Sequence, residues 1–202
     1  MAIDVALEQV LGVENGTEGI RFDGRTDRGI FREALLAHGA DAERLIDETM
    51  EAYLAALPGA LASRDGRVLP GVWDLLNTLE GKAAMGLATG NMERGAKAKL
   101  SHYQLWDRFR GGGFGDVTVV RREVIEQAIG SIAAAHGIDP EPERAVVIGD
   151  TPLDVEAGQQ AGARVLGVGT GRFTPRELLD SGADYAVEDL SDTAGVVQVL
   201  LD

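Results

Sequence analysis

Val147-Ile148-Gly149-Asp150-Thr151-Pro152-Leu153-Asp154 decides how the rest of the chain is read. The apolar run Ala145-Val146-Val147-Ile148 predicts a short buried strand, and Gly149-Asp150 ends it with a carboxylate. Pro152 suits the first turn of a helix that follows. Asp150 then stands just ahead of that helix and Asp154 lies in its first turn, so both carboxylates can face one point. Two hard oxygen donors there suit Mg²⁺. The same two acids could equally serve only to stabilise a helix N-terminus.

Moving outward, the stretch from Pro70 alternates helices with short apolar strands. A helix is expected from Pro70 to Leu79 and a strand over Ala84-Met85-Gly86-Leu87-Ala88. A helix from about Met92 to His102 and another from Glu123 to His136 follow. Val155 to Gln160 reads as helix, Arg164 to Val168 and Tyr185-Ala186-Val187 as strands, with helices after Thr174 and Ser191. Strands alternating with helices imply an α/β fold, a parallel sheet covered on both faces. Residues 1–66 read differently, as helices without a convincing strand. Gly12 stops the first, Asp27 is the expected N-cap of a second running to His38, and Gly39 breaks it. Ala42, Leu45, Ile46, Tyr53, Leu54 and Leu57 make one stripe on a third, ending near Pro58. The polar turn Ser63-Arg64-Asp65-Gly66 marks the expected boundary between residues 1–66 and 67–202.

In an open parallel sheet, ligands sit beyond the carboxyl ends of the strands. A second such end is Leu87-Ala88-Thr89-Gly90-Asn91, where a hydroxyl, a glycine turn and a helix N-terminus together suit an anion. Thr and Asn are also ordinary structural caps at such a place. Arg121 and Arg122 open the helix before the Asp150 strand, and either could bring a cation to the same edge. Lys97 and Lys99 lie well into their helix and read as solvent-facing.

Other candidates fall away. Gly167-Val168-Gly169-Thr170-Gly171 follows a strand, but Arg172 stands where a dinucleotide fingerprint needs glycine. His38, His102 and His136 lie at helix ends, where a cation favours the dipole. Phe22-Asp23-Gly24-Arg25-Thr26 resembles a catalytic Asp-Gly-x-Thr turn, but no buried strand precedes it.

Composition bounds the partners. The 202 residues include 33 acidic and 19 basic side chains and no cysteine, for a formal charge of -14. Disulfides, thiolate metal sites and a cysteine nucleophile are excluded. The acidic balance opposes phosphate backbones, so no nucleic-acid partner is expected. No apolar run approaches the roughly 20 residues of a membrane span, and the first residues lack the pattern of a signal peptide. A cytoplasmic protein is expected, monomeric or homodimeric.

Taken in order, these motifs resemble the haloacid dehalogenase-like (HAD) superfamily, and the stretch from Gly95 to Gly115 resembles its phosphoglycolate-phosphatase-like members. The resemblance implies a Rossmannoid core at 67–202 and a helical cap at 1–66. It also implies Mg²⁺-dependent hydrolysis of a small phosphorylated metabolite. Thr89, Gly90 and Asn91 map onto the phosphate-binding motif. Arg121, with Arg122 as fallback, maps onto the cation that steadies nucleophile and phosphate. Asp150, supported by Asp154, maps onto the acidic metal-binding motif. In this family an aspartate in Asp-x-Asp-Gly-Thr, at the end of the first strand, attacks phosphorus, and the second aspartate is acid and base. No such motif occurs in these 202 residues. The resemblance therefore implies that the first, central strand is missing and the chain is truncated, inactive as it stands and poorly stable, with Mg²⁺ binding weakened. The alternative is a non-catalytic remnant that binds a phosphorylated ligand or a protein partner.

Overall fold

The computed structural model describes residues 1–116 and 118–202. Helices α1 (Ala2–Leu11), α2 (Asp27–Ala37) and α3 (Ala42–Ala62) pack around one apolar cluster. The stripe expected on α3 is the inner face, with Leu45, Ile46, Tyr53 and Leu57 buried against Leu7, Ile30, Phe31 and Leu35. Phe31 and Tyr53 meet edge to face at 5.4 Å, a favourable aromatic geometry. Gly12 and Gly39 end their helices in the left-handed conformation.

Among these three helices, two boundaries differ from the sequence reading. The third helix passes through Pro58 and ends at Ala62. Proline forfeits one helical hydrogen bond, while Leu57 before it and Leu61 beyond it still pack on the cluster. Thr26, not Asp27, caps α2, accepting the Gly29 N–H at 3.2 Å. Asp27 is the first helical residue, and its carboxylate is engaged elsewhere.

The rest is an α/β assembly whose strands pair only in parallel among the described residues. Helix α4 (Val72–Leu79) starts two residues later than expected, with Gly71 in the left-handed conformation at its N-cap and Pro70 left outside. Strand β1 (Leu87–Thr89) begins three residues later than expected, where Leu87 pairs with Gly112. Helix α5 (Glu93–His102) follows, then β2 (Gly112–Phe114), a strand that the glycine run conceals, and α6 (Arg121–His136). The remaining order is β3 (Val146–Gly149), α7 (Pro152–Gln160), β4 (Arg164–Val168), α8 (Pro175–Asp180), β5 (Tyr185–Val187) and α9 (Thr193–Leu201).

These strands form two small sheets, β1-β2 and β3-β4-β5. Helices cover both faces of the three-stranded sheet, because successive side chains of β4 point opposite ways. Val165 packs with Val155 and Leu178 of α7 and α8. Leu166 and Val168 pack with Leu75, Leu79 and Val196 of α4 and α9. Among the described residues, strands β1 and β3 each carry a ladder on one side only.

Candidate functional site

The loops after β1 and β3 and the start of α6 meet at Arg121. Its Nε and Nη2 donate to Asp154 Oδ1 at 3.1 and 2.6 Å. The two side chains are 20% and 7% exposed, so this ion pair is largely withdrawn from water. The other Asp154 oxygen accepts from Thr151 N at 3.2 Å and Thr151 Oγ1 at 2.8 Å. The Thr151 hydroxyl in turn accepts the Asp154 N–H at 3.2 Å. This reciprocal box closes the N-terminus of α7. A helix turns its side chains by about 100° per residue, and that rotation separates the adjacent arginines. Arg122 pairs with Glu126 at 3.4 Å on the exposed surface.

Asp150 ends β3 as an exposed residue with no partner in the box. A Cβ on Gly171, in the loop after β4, would collide with its carboxylate. Partial burial and then the charges of Asp154 and Asp23 push the Asp150 carboxyl above its usual range, with Arg121 opposing. Asp154 therefore spends both oxygens on Arg121 and Thr151, while Asp150 stays open. Among the described residues no three acidic or histidine side chains cluster as a metal cage. Mg²⁺ is commonly held through one or two carboxylates plus waters and phosphate. Asp150 fits that use, and Asp154 fits it poorly.

The loop after β1 is more heavily engaged than its sequence suggested. Thr89 Oγ1 accepts the Asn91 N–H at 3.2 Å, a local turn that leaves the hydroxyl proton to donate. Gly90 O accepts from Asp27 N at 2.6 Å, and Asn91 O from Gly115 N at 2.9 Å. The first amides of α5 do not lie open for an anion. Met92 N donates to Asp27 Oδ2 at 3.0 Å and Glu93 N to Asp116 Oδ2 at 2.9 Å. Gly90 is required by close approach: a Cβ there would strike the Arg25 carbonyl and lie 2.8 Å from Arg121 Nη1. Thr89-Gly90-Asn91, Arg121, Asp154 and Asp150 thus gather at one end of the strands, with Arg122 outside the group.

One expectation is corrected here. Lys99 is not solvent-facing: its Nζ donates to Asn91 Oδ1 at 2.9 Å and lies 5.9 Å from the Tyr53 ring centre. Phe22-Asp23-Gly24-Arg25-Thr26, set aside for want of a strand, nevertheless borders the site. Asp23 pairs with Arg172 at 3.5 Å, and Arg25 pairs with Glu33. The histidines do end helices: His38 Nε2 contacts Gly16 O at 2.9 Å, and His102 stacks edge-on against Tyr103. Sequence reasoning missed both Lys99 and Asp27. One signal was available for the latter, since Thr26-Asp27 offers two caps where a helix needs one.

Residues 123–193 match the HAD-hydrolase-like family. The chain is 29% identical over 195 residues to Phosphoglycolate phosphatase 1 of Pseudomonas aeruginosa, covering 95% of this chain and 70% of that one. Among solved structures, a hydrolase from Pseudomonas syringae superposes with a TM-score of 0.66 at 21% identity. That match covers 100% of this chain and 90% of the other. A haloacid dehalogenase-like hydrolase from Streptococcus pneumoniae gives 0.62 at 18% identity, covering 98% and 89%. No helix among the described residues is long and apolar enough to cross a membrane.

Proposed function

From the premise that the chain is a homologue of the HAD-like hydrolases, we propose that it carries the phosphate-binding half of a phosphohydrolase site for a small phosphorylated metabolite. The observation that carries this reading is the Arg121–Asp154 bond, which ties the start of α6 to the first turn of α7 beside the Gly90 turn that follows β1. In this reading residues 1–66 are the helical cap and 67–202 the core. The Thr89 hydroxyl and the Gly90 N–H hold phosphoryl oxygens, and Asn91 shapes the turn by donating its N–H to Thr89 Oγ1. Arg121 supplies positive charge at the same point, aimed by Asp154. Preorganised donors of this kind stabilise charge that develops during phosphoryl transfer. Asp150 would hold Mg²⁺, which when bound neutralises charge on phosphoryl oxygens.

The nucleophile is not among these residues, and the sheet edges support a place for it. Among the described residues, strands β1 and β3 each have an unpaired side, and Ile148 in β3 is 42% exposed. Parallel strands ordinarily bury both faces and pair both edges. We propose that a further strand lies between β1 and β3 and brings the attacking carboxylate, so that the 202 residues alone do not turn over. The test is hydrolysis of p-nitrophenyl phosphate with Mg²⁺. It compares the chain as given with the chain extended at its N-terminus by an apolar strand ending in Asp-x-Asp-Gly-Thr. Turnover only by the extended chain, abolished by Arg121→Met, supports the reading. A folded extended chain that binds phosphate but never hydrolyses it selects the second reading, a non-catalytic binder. The absence of Asp-x-Asp-Gly-Thr from these residues favours that alternative.

A further inference from the structure

The loop that carries Thr89 and Gly90 is held at its own Asn91 by two side chains outside the site described above, Asp27 and Lys99. Asp27, 4% exposed at the start of α2, makes three bonds to it. Its backbone N–H donates to Gly90 O at 2.6 Å. Its carboxylate accepts from Asn91 Nδ2 at 3.2 Å and from Met92 N at 3.0 Å. On the opposite side, Lys99 Nζ donates to Asn91 Oδ1 at 2.9 Å. The Asn91 amide therefore lies between a carboxylate and an ammonium, its NH₂ toward the first and its oxygen toward the second. No other orientation satisfies both neighbours, because an ammonium only donates and a carboxylate only accepts.

We infer that Asp27, Asn91 and Lys99 form a clamp that fixes the Thr89–Met92 loop against helix α2, with Lys99 as a positioning residue of the phosphate site. The phosphate part of this inference rests on the function proposed above; the clamp itself does not. Three elements contribute, α2, the loop after β1, and α5, so the loop cannot shift without either breaking these bonds or carrying α2 along. Both charged members are withdrawn from water. Burial pushes the Asp27 carboxyl up, with nearby Asp116 adding to this, and pushes the Lys99 ammonium down. Each also favours the charged form of the other. In such surroundings a hydrogen bond to a charged group is stronger and its loss more costly than at the surface. A residue whose only role was to solvate α5 would not be aimed at the side-chain oxygen of Asn91.

The experiment is hydrogen exchange of the asparagine side-chain amides by NMR on the full chain, together with calorimetric titration of inorganic phosphate. In the unaltered protein the Asn91 amide protons should exchange at least tenfold more slowly than those of exposed Asn15 and Asn77. In Lys99→Met this protection should fall at least tenfold and phosphate should bind at least fivefold more weakly, with Lys99→Arg restoring most of both. Equal exchange at Asn91 and Asn77 in the unaltered protein overturns the clamp, and so does full protection in a folded Lys99→Met chain. Weakened exchange protection with unchanged phosphate affinity overturns the positioning role. A chain that binds no phosphate at all refutes the phosphate site and with it the positioning role, while the exchange comparison still decides the clamp.

Discussion

Removing the Asp154 carboxylate in Asp154→Ala should be among the most damaging single substitutions outside the apolar clusters. The side chain is 7% exposed and accepts four hydrogen bonds, two from Arg121 and two from Thr151. Two losses combine. Deleting one partner of a buried ion pair typically costs about 3–5 kcal/mol, because the remaining charge stays buried without compensation. Losing a capping interaction costs about 0.5–2 kcal/mol. Arg121 retains 20% exposure and can turn partly toward water, so about 3 kcal/mol in total is the reasoned figure. With a urea slope of about 2 kcal/mol/M, the unfolding midpoint should drop by about 1.5 M. Arg121→Met alone should cost a comparable amount, whereas the double substitution Arg121→Met with Asp154→Ala should cost less than the sum. The assay is urea unfolding followed by circular dichroism on the four proteins. A midpoint for Asp154→Ala within about 0.3 M of the parent would show that the pair is not a buried keystone and would refute the reasoning.

Two further outcomes follow from the same region. The Asp150 carboxyl is raised in the folded protein, so the folded state holds its proton longer than the unfolded chain does. The sign is that this group erodes stability as pH rises from the unfolded pKa through the folded one. Asp150→Asn should thus raise the thermal midpoint more at pH 7 than at pH 4 in metal-free buffer, and added Mg²⁺ should stabilise the parent but not the variant. An equal shift at both pH values would contradict the assigned surroundings. At the neighbouring loop, Gly90→Ala should cost about 1–3 kcal/mol through overpacking against Arg25 and Arg121. Gly12→Ala should cost about 1 kcal/mol, from positive φ alone; its site has open space around it. Chemical unfolding measures both, and equal costs would show that the Gly90 contact is not tight.

The parts of the fold that were legible in the sequence are those with a strong period or a strong stop. The Leu45, Ile46, Tyr53, Leu57 stripe is unambiguous because burial and periodicity agree, whereas Val146-Val147-Ile148 forms the expected strand without the expected burial, Ile148 being 42% exposed. Strand β2 was not legible. Gly112-Gly113-Phe114 has little strand propensity of its own, and Gly113 is there because a Cβ would strike the Val124 backbone on α6. Packing, not propensity, selects that strand. At the site, Asp150 and Asp154 could be placed from the strand, proline and acid spacing. Their division of labour could not, since it depends on which way one arginine of a pair faces. Lys99 was misread for a related reason. A lysine one turn from a helix end usually solvates, and only the three-dimensional approach of Asn91 gives its ammonium a partner.

The distribution of engaged and open groups bears on what these residues do together. Asp154, Asp27 and Asp116 have bonds to Arg121, Asn91, Met92 and Glu93. Asp150 stays open at the end of β3, and the Thr89 hydroxyl retains a proton to donate. Internal carboxylates thus hold the loops and the arginine in position without an external ion, while the open groups are those that a phosphate ester and a divalent cation would use. Such a division lets the geometry of the site persist before ligand arrives, the condition for preorganised electrostatic stabilisation. It also separates two kinds of acid in a chain whose charge is -14. At this end of the strands Asp27 and Asp154 are buried and bonded, while Asp150 is positioned where a cation would relieve its repulsion from Asp154 and Asp23.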